Sequence, residues 1–229
     1  MGVTRRRFLG YTAGVFAGLR GLPLDRTSRR CVLLDLNDRS CLNESVSGYQ
    51  SALTSAGVQW MRADARWMSA PRCAVLIVPA ALEIPPQVVR AIVRCLHAGA
   101  SVIFESGAGF AADRDYRAHR LALRHYLQLQ IEEPVHLWRD NSLQRIPYVD
   151  YTWPRPAQVR DFSRVVPVEG QEGEIIARVD GRPVALKRPS GRGRLIFLGS
   201  SLGPALWAGD AEARGWLFDC LRTAGGEGA

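Results

Sequence analysis

From residue 31 onward, strand-length apolar runs alternate with helix-length amphipathic stretches, and this constrains the fold more than any other feature. "CVLLDL" (31–36), "CAVLIVPA" (73–80), "SVIFES" (101–106) and "GRLIFLGS" (193–200) are nearly continuous in apolar residues. A strand needs that composition when both faces of its sheet are covered. "VQWMRA" (58–63) adds a weaker strand. Between them, Val46, Tyr49 and Leu53 form a helical stripe behind a capping Asn43 and before Gly57. A second stripe, Val88, Val89, Ile92, Val93 and Leu96, starts at Pro85-Pro86 and stops at Gly99. A third helix is expected over 113–127, with Tyr116, Leu123, Tyr126 and Leu127 inward, and a last one over 210–222.

Strands joined through helices require crossover connections, hence a parallel sheet with helices on both sides. The expected fold is therefore one three-layer α/β domain over 30–223, with a mostly parallel, flavodoxin-like sheet. A late β-hairpin, "EIIARVDGRPVALKRP", turns at Asp180-Gly181. The stretch "WRDNSLQRIPYVDYTWPRPAQVRDF" shows little period and reads as an irregular excursion, and 224–229 as a disordered tail.

With 47% hydrophobic and 23% charged residues, the chain has the balance of a globular protein. Its net charge of +8 is carried almost wholly by arginine, Lys187 being the one lysine. The arginines are dispersed among acids without a basic run beyond the N-terminus, which argues against nucleic-acid binding. The cysteines, Cys31, Cys41, Cys73, Cys95 and Cys220, form no CxxC and read as small buried hydrophobes, with only Cys41 placed to react. His97, His119, His125 and His136 lack metal-ligand spacing, so neither metal nor cofactor is expected.

The N-terminus is different in kind. Three arginines, Arg5 to Arg7, precede a glycine-diluted apolar run, Phe8 to Leu19, too short to span a hydrocarbon core of roughly 30 Å. Thr4-Arg5-Arg6-Arg7-Phe8-Leu9 resembles the twin-arginine export motif, with Gly10 where lysine is commonest. The resemblance implies that residues 1–25 engage the twin-arginine translocase. The chain would be carried to the periplasm or the outer face of the cytoplasmic membrane, with membrane association only through an uncleaved signal.

"AVLIVPAALEIPPQVVRAIVRCLHAGASVIFES", followed by the hairpin and "GRGRLIFLGSSLG", resembles the class I glutamine amidotransferase-like fold. Within it the pattern is closest to the non-catalytic branch typified by the β-galactosidase trimerisation domain, over residues 31–222. Enzymatic members carry a cysteine on the turn after the strand equivalent to 101–106, and His and Glu after the last strand. Here the turn is Phe104-Glu105-Ser106-Gly107-Ala108-Gly109, and "GSSLGPALWAGD" follows the last strand. The resemblance thus implies a non-enzymatic module that binds a partner protein, another copy of itself or a small ligand, and the export motif adds, by analogy with other twin-arginine substrates, a subunit of a larger envelope complex.

In parallel sheets ligands bind beyond the carboxyl ends of the strands. Asp35, Asn37, Asp38, Pro79, Glu105, Ser106, Gly107, Gly109, Ser200 and Ser201 are the candidates there, with glycine at 107 expected to adopt positive φ. Trp138, Tyr148, Tyr151 and Trp153 are candidate interface aromatics. The alternative is a serine hydrolase acting on an amide or ester through Ser106, although no histidine except His136 is expected near a strand's carboxyl end.

Overall fold

The computed structural model describes residues 31–36, 41–64, 73–137, 147–161, 164–169 and 173–226. The N-terminal arginine motif, Asn37, Asp38 and Trp138 lie outside these residues. Four strands and three helices alternate first: β1 (Cys31–Leu34), α1 (Asn43–Ser55), β2 (Trp60–Ala63), β3 (Val75–Ala81), α2 (Pro86–Ala98), β4 (Ser101–Ser106) and α3 (Asp113–Leu127). Then come six strands, β5 (Val135–His136), β6 (Tyr148–Tyr151), β7 (Ala157–Arg160), β8 (Arg164–Val165), β9 (Glu174–Val179) and β10 (Arg182–Ser190). The chain closes with β11 (Gly193–Leu198), α4 (Leu202–Trp207) and α5 (Ala211–Gly226), so the last helix runs through residues 224–226, which the sequence reading assigned to the tail.

Nine strands form one sheet in the order β2-β1-β3-β4-β11-β10-β9-β6-β7. Its first five strands are parallel and reproduce the doubly wound 2-1-3-4-5 order. The remaining four are antiparallel. They grow from the β9–β10 hairpin, whose turn places Asp180 at φ 46° and Gly181 at φ 79°, the pair of positive angles a tight hairpin demands. The fold is thus the expected three-layer sandwich, parallel only in its first half.

One core layer packs α1, α4 and α5 on the sheet, around Leu33, Tyr49, Ile77, Ile103, Ile196 and Trp216. The other packs α2 and α3, around Val32, Leu76, Ile92, Phe104, Leu123 and Phe197. Adjacent strand residues point to opposite layers, so Ile103 and Phe104 part company, and Glu105 and Ser106 follow them.

Two local expectations change. Leu42, not Asn43, occupies the cap position of α1, with no side-chain capping bond. Cys41 is buried and bridges Ala81, while Leu42 N–H donates to the Ala80 carbonyl (3.1 Å), so this stretch is packed across the end of β3 and not exposed. Among the described residues no helix is long and apolar enough to cross a membrane.

Candidate functional site

The last two residues of β4 each send a polar side chain into a different helix layer. Glu105 is fully buried beneath the crossing of α1 and α4. Ser45 Oγ donates to its Oε1 (3.1 Å), Gly203 N–H donates to its Oε2 (3.0 Å), and Ser45 in turn accepts from Ala80 N–H (3.1 Å). The crossing has no room for side chains. A Cβ on Gly48 would stand 2.0 Å from the Gly203 carbonyl oxygen, and one on Gly203 would meet Ser45 Oγ at 2.2 Å. Burial pushes the Glu105 carboxyl up to about 7, with Asp161 adding to the rise and the hydrogen bonds opposing it. The buried Tyr49 hydroxyl faces the same carboxylate without a hydrogen bond of normal geometry.

Ser106 points the other way and meets His119 of α3, Oγ to Nε2 at 3.2 Å. Ala108 N–H donates to Ser106 Oγ (3.3 Å), which leaves the hydroxyl proton for His119. Burial holds His119 neutral, its pKa lowered to about 4. Its ring packs edge-on to Phe104, centroids 6.1 Å apart. This pairing was not expected, although its signal lay in the sequence: 116, 119, 123 and 127 form one helical stripe. What keeps the pair from resembling a catalytic dyad is access: Ser106 is 3% exposed and His119 1%.

Ser200 and Ser201 lie on the β11–α4 loop beside Glu105. Ser200 Oγ hydrogen-bonds the Tyr151 hydroxyl (3.2 Å), and Ser201 N–H donates to Asp161 Oδ2 (3.2 Å). Asp161 is a buried acid that sequence reasoning missed, since nothing local marks it. Glu105, Ser200 and Ser201 therefore converge, but on their own chain. Asp35 stands apart at the end of β1, paired to Arg62 Nε (2.7 Å).

Gly107 has φ −89°, not the expected positive angle. Glycine is needed there for space, because a Cβ would meet the Ala80 carbonyl oxygen at 2.6 Å and its carbon at 2.9 Å. Gly107→Val should therefore cost on the order of 3 kcal/mol in a thermal or urea melt, whereas Ser106→Ala, which removes one neutral hydrogen bond, should cost about 1 kcal/mol. Equal losses would show that the turn is not tightly packed.

Of the interface aromatics, Tyr151 is 3% exposed and packs on Trp216 (4.5 Å), so it belongs to the core. Trp153 is partly buried, its carbonyl accepting from Trp216 Nε1 (2.7 Å) and its ring covered by Lys187 Nζ (4.5 Å). Tyr148 is 36% exposed, beside Arg160. Among the described residues, the large apolar side chains most open to solvent are instead Trp207 at 62% and Leu121 at 66%. A cavity of about 560 Å³ lies at the opposite end of the sheet, between the ends of α2 and α3 and the β10–β11 turn, where Arg188 donates to the Leu127 and Gln128 carbonyls. No group of three potential metal ligands occurs among the described residues.

No protein-family model matches the sequence and no curated protein matches it. Solved structures do match. A β-galactosidase from Bacillus circulans sp. alkalophilus aligns over 81% of this chain at 15% identity and a TM-score of 0.59. An exo-β-1,4-mannosidase from Opitutaceae bacterium strain TAV5 aligns over 86% at 13% identity and a TM-score of 0.60. The chain spans only 30% and 36% of those two enzymes. A cytoplasmic protein from Salmonella typhimurium LT2 aligns over 85% of this chain and 99% of its own length, at 10% identity and a TM-score of 0.60. The same fold therefore occurs both as part of larger glycosidases and as a whole chain, and at these identities the likeness is one of fold alone.

Proposed function

We propose that this chain is an exported, non-enzymatic amidotransferase-like module that acts by binding protein, either another copy of itself or a partner subunit of an envelope complex. One observation carries the reading. Among the described residues, most polar groups at the strand ends, where this architecture offers a ligand site, bind their own chain: Glu105 holds the start of α4, Asp161 and Tyr151 hold the loop before it, and Ser106 holds α3, while Ser201 Oγ and the Tyr49 hydroxyl are buried without a partner. Binding then falls to the outer surface, where an exposed tryptophan such as Trp207 is the kind of residue that anchors an interface. Export rests on the Thr4 to Leu9 motif.

The test is the mass, by light scattering, of the chain purified alone and recovered from the envelope. At least one preparation should exceed a single chain, and Trp207→Ala should weaken that assembly at least about tenfold. A monomer in both contradicts the reading. For export, Lys at positions 5 and 6 keeps the charge but loses the guanidinium forks, so a reporter behind residues 1–30 should stay in the cytoplasm. Unchanged export overturns that part.

The Ser106–His119 contact is the specific observation that favours a second reading, a serine hydrolase acting on an amide or ester. Opening of the turn at Ala108–Phe110 would have to precede any reaction, since both side chains are buried.

A further inference from the structure

Arginines that are scattered along the sequence gather on one side of the molecule once the helices form. α2 and α3 pack together over one side of the sheet and carry six arginines against two acids, Asp113 and Asp115, both in the first turn of α3. The helices of the other layer, α1, α4 and α5, carry two arginines against three acids. The excess of positive charge on the helices is therefore one-sided.

The helical period decides which of these side chains face outward. In α2, burial of Val88, Val89, Ile92, Cys95 and Leu96 leaves Gln87, Arg90, Arg94 and His97 in an exposed row. In α3, the buried stripe of Tyr116, His119, Leu123 and Leu127 leaves Arg114, Ala118, Leu121 and His125 exposed, with Arg117 and Arg124 exposed on one flank. Arg120 is turned aside to Glu133 and Glu169. The two outward rows hold arginine and histidine but no acid. Among them stands Leu121, 66% exposed.

We propose that this face of α2 and α3 docks on a membrane surface rich in anionic phospholipid. The contact is separate from the N-terminal segment and goes beyond the protein binding proposed above. Guanidinium groups donate paired N–H bonds to phosphate oxygens, which suits arginine to lipid headgroups. An apolar side chain set among them suits a layered partner. Leu121 enters the boundary of the acyl chains while Arg114, Arg117 and Arg124 stay at the level of the phosphates. Charge alone would equally serve an acidic protein; the exposed leucine at the centre of the cluster selects the lipid surface.

Photocrosslinking from the face itself is the test, because its readout is local and ignores any binding through residues 1–30. The full chain carries benzoylphenylalanine in place of Leu121, or in place of Ser51 on the exposed side of α1 as the control, and is irradiated with phosphatidylglycerol or phosphatidylcholine vesicles. A phospholipid adduct is expected from position 121 on phosphatidylglycerol, at least about tenfold above that on phosphatidylcholine and above that from position 51. Raising the salt from about 0.05 M to about 0.5 M shortens the screening length roughly threefold and should remove most of the adduct. Arg114→Gln and Arg124→Gln should each weaken the lipid affinity read from the adduct roughly fivefold. Neither should move the melting temperature, since both side chains are exposed. No adduct from position 121, equal yields from 121 and 51, or equal yields on the two lipids would overturn the inference. So would crosslinks from position 121 to protein in place of lipid in a cell-membrane preparation. None of these outcomes depends on whether the chain is exported or assembles with itself.

Discussion

Gly48→Ala is expected to be among the most damaging single-methyl changes at the described glycines. The added carbon would stand 2.0 Å from the Gly203 carbonyl oxygen and 2.8 Å from Trp207 N, and both are backbone atoms of α4 that no rotamer change can move aside. Either α4 leaves α1, taking Gly203 N–H away from Glu105, or both helices shift together. Each route breaks a buried hydrogen bond and opens the core, so the loss should be at least about 3 kcal/mol. Gly57→Ala is the control. Gly57 has φ +65° with nothing within 4 Å of the new carbon, so only conformational strain of about 1 kcal/mol is expected. Denaturant melts of the two variants check the ranking, and a tolerated Gly48→Ala would mean that α1 and α4 do not meet as closely as described.

Acid should pull the stability in two opposing directions, one from each layer. Glu105 is raised from 4.5 to about 7, so its protonated form suits the fold; its contribution is present below 4.5 and lost as pH rises through 7. His119 is lowered from 6.5 to about 4, so its neutral form suits the fold; its contribution is present above 6.5 and lost as pH falls toward 4. Each displacement corresponds to roughly 3 kcal/mol, and over pH 4.5–6.5 the two nearly cancel. Glu105→Gln leaves the histidine alone, and its melting temperature should fall with acid by several degrees relative to the parent. His119→Gln leaves the carboxyl alone, and its melting temperature should rise with acid by a similar amount. Parallel pH curves for the parent and both variants would refute this account of the strand end.

How far the sequence could be read depends on how each element is buried. The parallel half was legible because a strand covered on both faces must be apolar throughout: β4 and α3 have the very bounds read from the sequence, 101–106 and 113–127. The antiparallel extension was not. β6 and β7 are four residues each, separated by Thr152 to Pro156 with two prolines, and their alternation of buried and exposed residues is too short to stand out. α4 was missed because six residues containing Gly203 and Pro204 carry no helical period. Of the candidate site, Glu105, Ser106, Ser200 and Ser201 were placed at the strand ends correctly, since topology alone brings them there. Their partners were not legible. Ser45 and Asp161 reach Glu105 and Ser201 across 60 and 40 residues, and such distances leave no local trace. Gly107 was recognised as special for the wrong reason, because contact and φ are indistinguishable in a single sequence.

The central claim is that the carboxyl end of β4 binds the fold together and performs no chemistry. Treatment of the full chain with a fluorophosphonate tests it most directly, with Ser106→Ala as the control. The account predicts no label on the parent beyond the level of the control. Stoichiometric labelling of Ser106, abolished in Ser106→Ala, would contradict it and make the Ser106–His119 contact a catalytic pair.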